Sequence, residues 1–331
     1  NYPVNCSKKI CAIVVTYNRK DLLLECLQAL KKQLLHIDGI CVIDNFSSDG
    51  TPEALLENKL IDNDALTSLD KIWTKNLVNE KNAVKQKFYY MRSSSNIGGS
   101  GGFYEGIKRM SDLEEYDWFW LMDDDTIPYK DASKEIFYSI NIAKDNFKSE
   151  IGFASSKAMF DKENVHRMNV PQIKSVINNI PFNTLDDKGI LLTNSASFVS
   201  MMISNDAVKK VGYPIKKFFI YGDDAEYSMR IVNNGFLGIY CKNSVVHHKT
   251  KDNRSYDIMN DTVDNLWRYK YSVRNSLVII RISSKAKFLL NFIYNLTIRN
   301  FMIVKNRKNY RIKFVTANTL ATLSSVFFIT K

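Results

Sequence analysis

Short apolar runs alternate with amphipathic stretches through the first half of the chain. The first run, Ile10 to Val15, is continuous and apolar, which is typical of a strand buried on both faces. Further elements are predicted as strands at Ile40–Ile43, Phe88–Met91 and Trp118–Met122, and as helices over Lys20–Gln33, from Thr51 onward and over Gly102–Met110. This alternation predicts an α/β fold in which a mostly parallel, Rossmann-like sheet carries helices on both faces.

The pattern also divides the chain. The stretch from about Glu57 to Lys87 is charged and weakly periodic, and we predict a surface insertion there. We expect a catalytic domain over residues 1–250 and a helical region over residues 251–331, because a chain of 331 residues with 45% hydrophobic content can bury one large core or two smaller ones. In parallel sheets ligands bind at the carboxyl ends of the strands, and the candidate motifs of the first half lie at such ends.

Three carboxylates, Asp123, Asp124 and Asp125, directly follow the predicted strand at Trp118–Met122. Like charges this close raise one another's pKa, so a cation should offset them. Mg²⁺ or Mn²⁺ commonly binds one or two carboxylates together with substrate phosphate oxygens. In an extended strand end Asp123 and Asp125 point to one side and Asp124 to the other, so we predict that Asp125 binds the metal and Asp123 faces the substrate. The alternative is a solvated acidic turn.

A glycine-dense segment, Asn96 to Phe103, precedes the predicted helix at Gly102–Met110. Its backbone amides could approach an anion closely. The spacing matches neither the dinucleotide-binding G-x-G-x-x-G fingerprint nor the P-loop, which argues against a dehydrogenase and a nucleoside triphosphatase. We predict a flexible anion-binding loop, and a bare glycine turn is the alternative.

Two later segments carry ionisable side chains. Asp223 and Asp224 begin an amphipathic helical pattern, where the helix dipole tends to keep a carboxylate ionised, as a general base requires. Ordinary charge at a helix N-terminus is the alternative. His247 and His248 follow a β-like run, and because adjacent strand residues face opposite ways, at most one of them should bind a metal. A core or surface histidine is the other interpretation.

The net charge of +11 changes the picture only at the end of the chain. The last acidic residue is Asp264, and from Asn265 to Lys331 apolar blocks alternate with Lys and Arg. This pattern is typical of amphipathic helices on an anionic membrane surface, where each basic residue contributes about 1 kcal/mol. A packed helical subdomain with a solvated basic face is the alternative. No RNA-binding motif accompanies the charge, so we do not expect nucleic acid binding.

Cysteine usage and hydropathy indicate the compartment. The five cysteines are scattered and never spaced C-x-x-C, which argues against a disulfide framework and a zinc site. No signal-peptide pattern opens the sequence, and no stretch of about 18 uncharged apolar residues occurs. We therefore expect a cytoplasmic protein that lies peripherally on the inner face of the cell membrane.

As an ordered set, these motifs resemble those of family 2 inverting glycosyltransferases of the GT-A fold, over about residues 9–250. The set comprises Thr16-Tyr17-Asn18-Arg19, Asp44-Asn45-x-Ser47-x-Asp49-Gly50-Thr51, a D-x-D element at Asp123–Asp125, a D-D-x-E helix at Asp223–Glu226 and a late histidine. Within the family, the glycine segment Asn96–Phe103 followed by the three aspartates is most similar to bacterial galactofuranosyltransferases and related rhamnosyltransferases.

The resemblance implies a nucleotide-sugar site made by Thr16, Asn18, Arg19, Asp44, Asn96, Gly98, Gly99, Gly101, Asp123 and Asp124. Thr16 and Arg19 would hold the uridine and pyrophosphate, Asp44 would contact the base or ribose, and the glycines would lie along the diphosphate and sugar.

The resemblance further implies that Mn²⁺ or Mg²⁺ is held by Asp123, Asp125 and His248, and that Asp224 is the general base. His248 is preferred to His247 because Val245–Lys249 fits the family's apolar-apolar-x-His-Lys pattern.

The reaction implied is the inverting transfer of a sugar, preferably galactofuranose from UDP-galactofuranose, onto a polyprenyl-diphosphate-linked or other glycan acceptor at the membrane. dTDP-rhamnose is the alternative donor. The aromatic pair of polymerising galactofuranosyltransferases is not evident around Thr193–Phe198, so processivity stays open. A sugar nucleotidyltransferase would leave the Asp223–Asp224 helix without a role. A non-catalytic membrane- or nucleic-acid-binding protein would leave the acids at the strand ends unexplained.

Overall fold

The computed structural model describes residues 8–78, 85–254 and 256–330. The strands are β1 Ile10–Thr16, β2 Gly39–Asp44, β3 Trp73–Val78, β4 Lys85–Arg92, β5 Trp118–Asp123, β6 Thr126–Pro128, β7 Ile151–Met159, β8 Val176–Ile177, β9 Ile180–Pro181, β10 Ile190–Leu192, β11 Met201–Ser204 and β12 Leu237–His248. The α-helices are α1 Lys20–Lys31, α2 Thr51–Glu57, α3 Gly98–Asp112, α4 Ala132–Phe147, α5 Asn205–Val211, α6 Asp223–Asn233, α7 Leu266–Ser283, α8 Lys285–Tyr294, α9 Asn300–Asn306 and α10 Arg311–Phe327.

One large sheet organises the catalytic part, in the order β10-β12-β7-β11-β5-β1-β2-β4-β3, with β6 paired to β12. Its centre, β5-β1-β2-β4, is parallel, whereas β3 and β11 run antiparallel to their neighbours. Every residue of β1 and β2 is buried, which explains their continuous apolar sequences. The predicted α/β sheet is confirmed, and its parallel centre is extended by antiparallel strands on both flanks.

Helices cover both faces of this sheet. Gly102 and Gly106 of α3 lie against Val15 and Ile13 of β1. Cys26 of α1 contacts Met122 of β5. Met122 pairs with Val14 of β1, which lies between Ile13 and Val15 in the sequence. Because successive strand residues point to opposite faces, α1 and α3 pack on opposite sides. The prediction of helices on both faces is therefore confirmed.

The segment between Glu57 and Lys87 is more than the predicted surface insertion. Leu60, Ile61 and Ala65 are buried in the main core, and Trp73–Val78 forms the edge strand β3, antiparallel to β4. The residues of β3 alternate between half-buried and exposed. An edge strand that covers only one face has a weak apolar pattern, which is why the sequence did not reveal it. Residues 79–84 of the segment lie outside the described residues.

The glycine-dense segment is also different from the prediction, since α3 begins at Gly98 and the predicted loop forms its first turns. A Cβ at Gly102 would lie 2.6 Å from Val15 Cγ1, and one at Gly98 would lie 2.2 Å from the carbonyl oxygen of Phe219. Gly98 also has a φ of +74°, which favours glycine. Gly102 and Gly98 therefore allow the close approach of α3 to β1 and to the segment around Phe219, respectively.

This packing predicts opposite results for two glycines of one helix. Gly102→Ala should lower the free energy of unfolding by about 1–3 kcal/mol, because its methyl group overpacks the contact with Val15. Gly99→Ala is the matched control: no atom lies within 4 Å of its ideal Cβ, so stability should stay equal or rise by up to about 1 kcal/mol. Urea unfolding of both variants measures the difference. Equal destabilisation would contradict the packing role of Gly102.

The C-terminal helices have a small core of their own, which includes Tyr269, Val273, Leu277, Ile303 and Phe314. A π-helical turn, Asn295–Arg299, joins α8 to α9. Within the described ranges, no helix is both long and apolar enough to cross a membrane. The predicted helical region is present, while the boundary at residue 250 stays a prediction.

Four cysteines, Cys11, Cys26, Cys41 and Cys241, are buried free thiols, and Cys6 lies outside the described residues.

Candidate active site

The carboxyl ends of three parallel strands bring the predicted motifs to one edge of the sheet. In the strand register Thr16 of β1 pairs with Asp44 of β2, and Val15 pairs with Asp123 of β5. The residues that follow these strand ends therefore share one site, as parallel topology requires.

The acidic run turns sharply, and Arg19 lies against it. Thr16 Oγ1 donates a hydrogen bond of 2.8 Å to Asp124 Oδ2, and the Arg19 guanidinium forms ion pairs with both Asp124, at 3.4 Å, and Asp125. Asp124 and Asp125 are both buried. The prediction that Asp124 points away from Asp125 is wrong, because β5 ends at Asp123 and strand alternation does not continue into the turn before β6.

The electrostatics of the run show a deficit of positive charge. Burial raises the pKa of Asp124 to about 7, and repulsion from Asp125 reinforces this shift. Burial, together with repulsion from Asp125 and Asp124, raises the pKa of Asp123 well above its ordinary value. For Asp125, burial acts in the same direction, but the hydrogen bond and charge of His248, together with Arg19, lower its pKa. Three carboxylates and one guanidinium leave a formal charge of −2 when all are ionised, which a divalent cation would match.

Asp125 and His248 meet in a geometry that suits a metal ion. His248 Nδ1 donates to Asn169 Oδ1 at 2.7 Å, so a ring that loses its Nε2 proton would present a lone pair there. That Nε2 lies 3.2 Å from Asp125 Oδ1, which is buried. An acceptor pair of this kind fits Mn²⁺ or Mg²⁺. Within the described residues, however, no three His, Cys, Asp or Glu side chains are gathered closely enough to hold an ion.

The two adjacent histidines face different surroundings. His247 Nε2 lies 2.8 Å from the carbonyl oxygen of Phe160, whereas His248 faces Asp125. Of the two, the structure thus places His248 beside the acids, as strand alternation along β12 requires.

Asp223 and Asp224 begin α6, and Asp223 lies near the acidic run. Asp223 is buried close enough to Asp123 to raise the pKa of that residue, and Asp224 Oδ1 accepts a hydrogen bond of 2.7 Å from the amide of Ala225. Burial raises the pKa of Asp224, and burial with repulsion from Asp224 raises the pKa of Asp223 to about 7. Desolvation thus acts against the helix dipole, which was expected to keep these carboxylates ionised.

Several residues that are predicted to contact the nucleotide form hydrogen bonds within the protein in this structure. Asp44 Oδ1 accepts from the Ser47 amide and its Oδ2 from Tyr90, and Asn18 Oδ1 accepts from the Ser48 amide. Asn96 Oδ1 accepts from the Gly98 amide, a local turn at the start of α3. Gly101 is buried inside α3, whereas Gly99 faces open space. The contacts of these residues with a nucleotide stay predictions.

Residues 11–65, which contain β1 and the loops around Arg19 and Asp44, match the family model described as glycosyl transferase family 2. The chain contains a glycosyltransferase family 2 domain. The predicted family and enzyme class are thereby confirmed.

Relatives of the glycosyltransferase domain agree with this assignment. Over 233 residues the chain is 26% identical to galactofuranosyltransferase GlfT1 of Mycolicibacterium smegmatis (strain ATCC 700084 / mc(2)155), covering 68% of this chain and 66% of that protein, slightly less than two thirds of its length. S. aureus TarS 1-349 superposes with a TM-score of 0.54 at 15% identity, over 96% of this chain and 81% of TarS 1-349. GalNAc-T7 with UDP, GalNAc and Mn²⁺ superposes with a TM-score of 0.57 at 11% identity, over 87% of this chain and 50% of that chain. The predicted GT-A fold is confirmed.

No sequence motif indicated that some of the residues around the site belong to it. The His166 ring packs against the His248 ring with centroids 4.3 Å apart. Asn169 Oδ1 accepts a hydrogen bond from Nδ1 of His248. Burial and the charge of His248 lower the pKa of His166 to about 4. Both residues lie in an irregular segment whose position only the tertiary fold determines. Arg92, at the end of β4, lies 3.9 Å from Asp44 and was also missed.

The C-terminal region of the glycosyltransferase also supports the site through Asn275 of α7. Its side-chain amide lies within hydrogen-bond distance of the carbonyl oxygens of Phe218, Ile220 and Tyr221, at 3.1, 2.9 and 2.7 Å. Phe219 and Tyr221 have positive φ values, and Gly222 follows them at the N-cap of α6. Asn275 thus holds a strained turn that sets the position of Asp223 and Asp224.

Replacing Asn275 should disturb catalysis more than donor binding. We expect Asn275→Ala to lower kcat by about 10- to 100-fold with little change in the KM of the donor, because a shift of about 1 Å in a catalytic group has an effect of that size. Steady-state kinetics and thermal unfolding measure the two effects separately. Asn291→Ala, which removes an amide that donates to the carbonyl oxygen of Lys287 in its own helix, is the control. A loss confined to stability, with unchanged kcat, would contradict the role of Asn275.

Proposed function

We propose that this protein is an inverting glycosyltransferase that moves galactofuranose from UDP-galactofuranose to a lipid-linked glycan acceptor. The observation that carries the proposal is the meeting of Arg19, Asp125 and His248 at the carboxyl ends of the strands, with Asp223 near Asp123 and Asp224 next to it in α6. The galactofuranosyltransferase relative favours the donor. dTDP-rhamnose is the second candidate, on the similarity of the glycine and aspartate motifs to rhamnosyltransferases.

In the proposed mechanism, Asp224 removes the proton of the acceptor hydroxyl as that oxygen attacks the anomeric carbon. The bond to the nucleoside diphosphate breaks on the opposite side of the sugar, so the configuration inverts. Arg19 is placed to bind the departing diphosphate. Bound Mn²⁺ or Mg²⁺ would supply positive charge to that leaving group. Asp125 and His248 would hold the ion, and Asp123 would join them.

A donor panel tests the proposed function. The protein is incubated with Mn²⁺ and UDP-galactofuranose, UDP-galactopyranose, dTDP-rhamnose or UDP-glucose, and release of nucleoside diphosphate is measured. We expect the fastest release from UDP-galactofuranose. Faster release from dTDP-rhamnose would identify that nucleotide sugar as the donor in place of UDP-galactofuranose. Release of pyrophosphate from a nucleoside triphosphate and a sugar phosphate, with no reaction of nucleotide sugars, would instead identify a nucleotidyltransferase.

The exposed apolar side chains of α8, the π-helical turn and α9 support the proposed membrane contact. They comprise Leu289, Leu290, Ile293, Ile298 and Phe301, each at least half exposed. Lys285, Lys287 and Lys305 belong to the same helices. Apolar side chains flanked by basic ones are the arrangement of a helix at an anionic bilayer surface. The cytoplasmic location stays a prediction.

Charge placed on this face should release the protein from membranes. We expect the double variant Leu290→Glu/Phe301→Glu to reduce binding to vesicles containing phosphatidylglycerol at least tenfold, because both apolar side chains would leave the bilayer and two negative charges would be added. Vesicle flotation measures the bound fraction. Leu34→Glu, at an exposed position of the catalytic part, should bind like the unchanged protein. Equal binding of both variants would contradict a membrane role for this face.

A further inference from the structure

A cavity of about 490 Å³ lies between the catalytic part and the C-terminal helices. From this cavity, and resting on the function proposed above, we propose that the phosphate or diphosphate group of the acceptor binds there, held by Arg167, Arg268 and Arg299. The volume is in the range of pockets that hold small ligands.

The position of the cavity places it on the acceptor side of the site. Tyr221 and Gly222 line it, and Gly222 directly precedes the carboxylates of α6. Arg167 and Met168 line it from the other side, between His166, which stacks on His248, and Asn169, which bonds to His248. The cavity thus adjoins the proposed base, whereas the predicted nucleotide-binding residues lie at the ends of β1 and β2.

The cavity has an excess of positive charge that the protein does not neutralise. Within the described residues, no carboxylate oxygen lies in ion-pair distance of the three guanidinium groups. Asp257 also lines the cavity and acts on Arg299 through its charge, so one carboxylate offsets only part of the charge of three guanidinium groups. Arg268 and Arg299 are partly buried, and a desolvated charge without a partner costs free energy, which supports binding of an anionic ligand.

Arg268 and Arg299 have hydrogen-bonding capacity that an anionic ligand could use. Arg268 Nε is buried with no hydrogen-bond partner among the described residues, and its guanidinium lies 4.6 Å from the centre of the Tyr256 ring. Arg299 donates to the neutral Asn295, at 3.0 Å, and burial lowers its pKa. Guanidinium groups bind phosphate oxygens through paired hydrogen bonds, and the aromatic ring holds Arg268 in place.

The surroundings of Arg299 indicate how a lipid-linked phosphate would reach the cavity. Arg299 ends the π-helical turn, and its neighbour Ile298 is 54% exposed on the proposed membrane face. A phosphate at the headgroup level of a bilayer would therefore lie near Arg299, with its lipid chain toward the apolar side chains. The attached sugar would extend toward Gly222 and α6.

Acceptors that differ only in their anionic group test this proposal. The full chain is assayed with one glycan carried on a prenyl diphosphate, on a water-soluble phosphodiester or on a neutral alkyl chain. We expect kcat/KM to be highest for the first, and the ratio of the diphosphate acceptor to the neutral acceptor to fall at least tenfold in Arg299→Gln and in Arg167→Gln. Lys130→Gln removes a charge from an exposed position of the catalytic part, outside the cavity, and should leave the ratio unchanged.

The outcomes separate this inference from the proposed function. Similar activity with the phosphodiester acceptor would show that the phosphate alone is recognised, and the same ratio in all variants would overturn the proposal. Absence of transfer from every nucleotide sugar would defeat the proposed function itself. Should Arg299→Gln fail to fold, Arg167→Gln still decides, because Arg167 is exposed.

Discussion

Asp224→Asn should abolish most of the sugar transfer. We expect kcat to fall by about 10²- to 10⁴-fold, the usual contribution of a general base, with little change in donor affinity. The reason is that the amide keeps the size of the carboxylate and cannot accept the acceptor's proton. Single-turnover assays at saturating donor and acceptor measure the loss. Because burial raises the pKa of Asp224, kcat of the unchanged protein should decline as the pH falls through a value above the ordinary aspartate pKa of about 3.9.

Two comparisons make the assignment of the base specific. Asp206→Asn, in the first turn of the neighbouring helix α5, removes an exposed carboxylate and should have no effect. Asp223→Asn should lower kcat less than Asp224→Asn does. If Asp224→Asn retains transfer within tenfold of the unchanged protein, or if Asp223→Asn is the more damaging change, the assignment to Asp224 is wrong.

Asp125→Asn should have the second largest effect. The change removes the negative charge that Arg19 and His248 share, and with it a proposed ligand for the divalent ion. We expect kcat/KM to fall by about 10²-fold or more and the affinity for Mn²⁺ in the presence of UDP to fall at least tenfold. Calorimetry measures the affinity without relying on turnover. His248→Gln should weaken Mn²⁺ binding in the same way.

The control for this pair is Asp145→Asn, at a position of α4 away from the acidic run. It should leave Mn²⁺ affinity and turnover unchanged. Unaltered Mn²⁺ affinity in both Asp125→Asn and His248→Gln would contradict their role as metal ligands. It would leave the family and the fold unaffected.

The sequence determined the parallel centre of the fold and the general position of the site. Strands β1, β2, β4 and β5 are buried, so their apolar runs stand out from their surroundings. The acids that follow β5 are recognisable because a buried strand rarely ends in three charges without a partner. Parallel topology then requires their strand end and that of Thr16 to meet.

Only the tertiary structure decided the details on which chemistry depends. Gly98–Gly102 form the first turns of α3, where Gly102 packs against Val15, although glycine alone disfavours a helix. The turn after β5 brings Asp124 and Asp125 to the same guanidinium, and burial raises the pKa of the α6 carboxylates against the helix dipole. His166, Asn169 and Asn275 act through partners roughly 50 to 80 residues away in the sequence. Local sequence patterns reflect burial and periodicity, whereas these contacts depend on how distant segments pack. They could therefore not be predicted from the sequence alone.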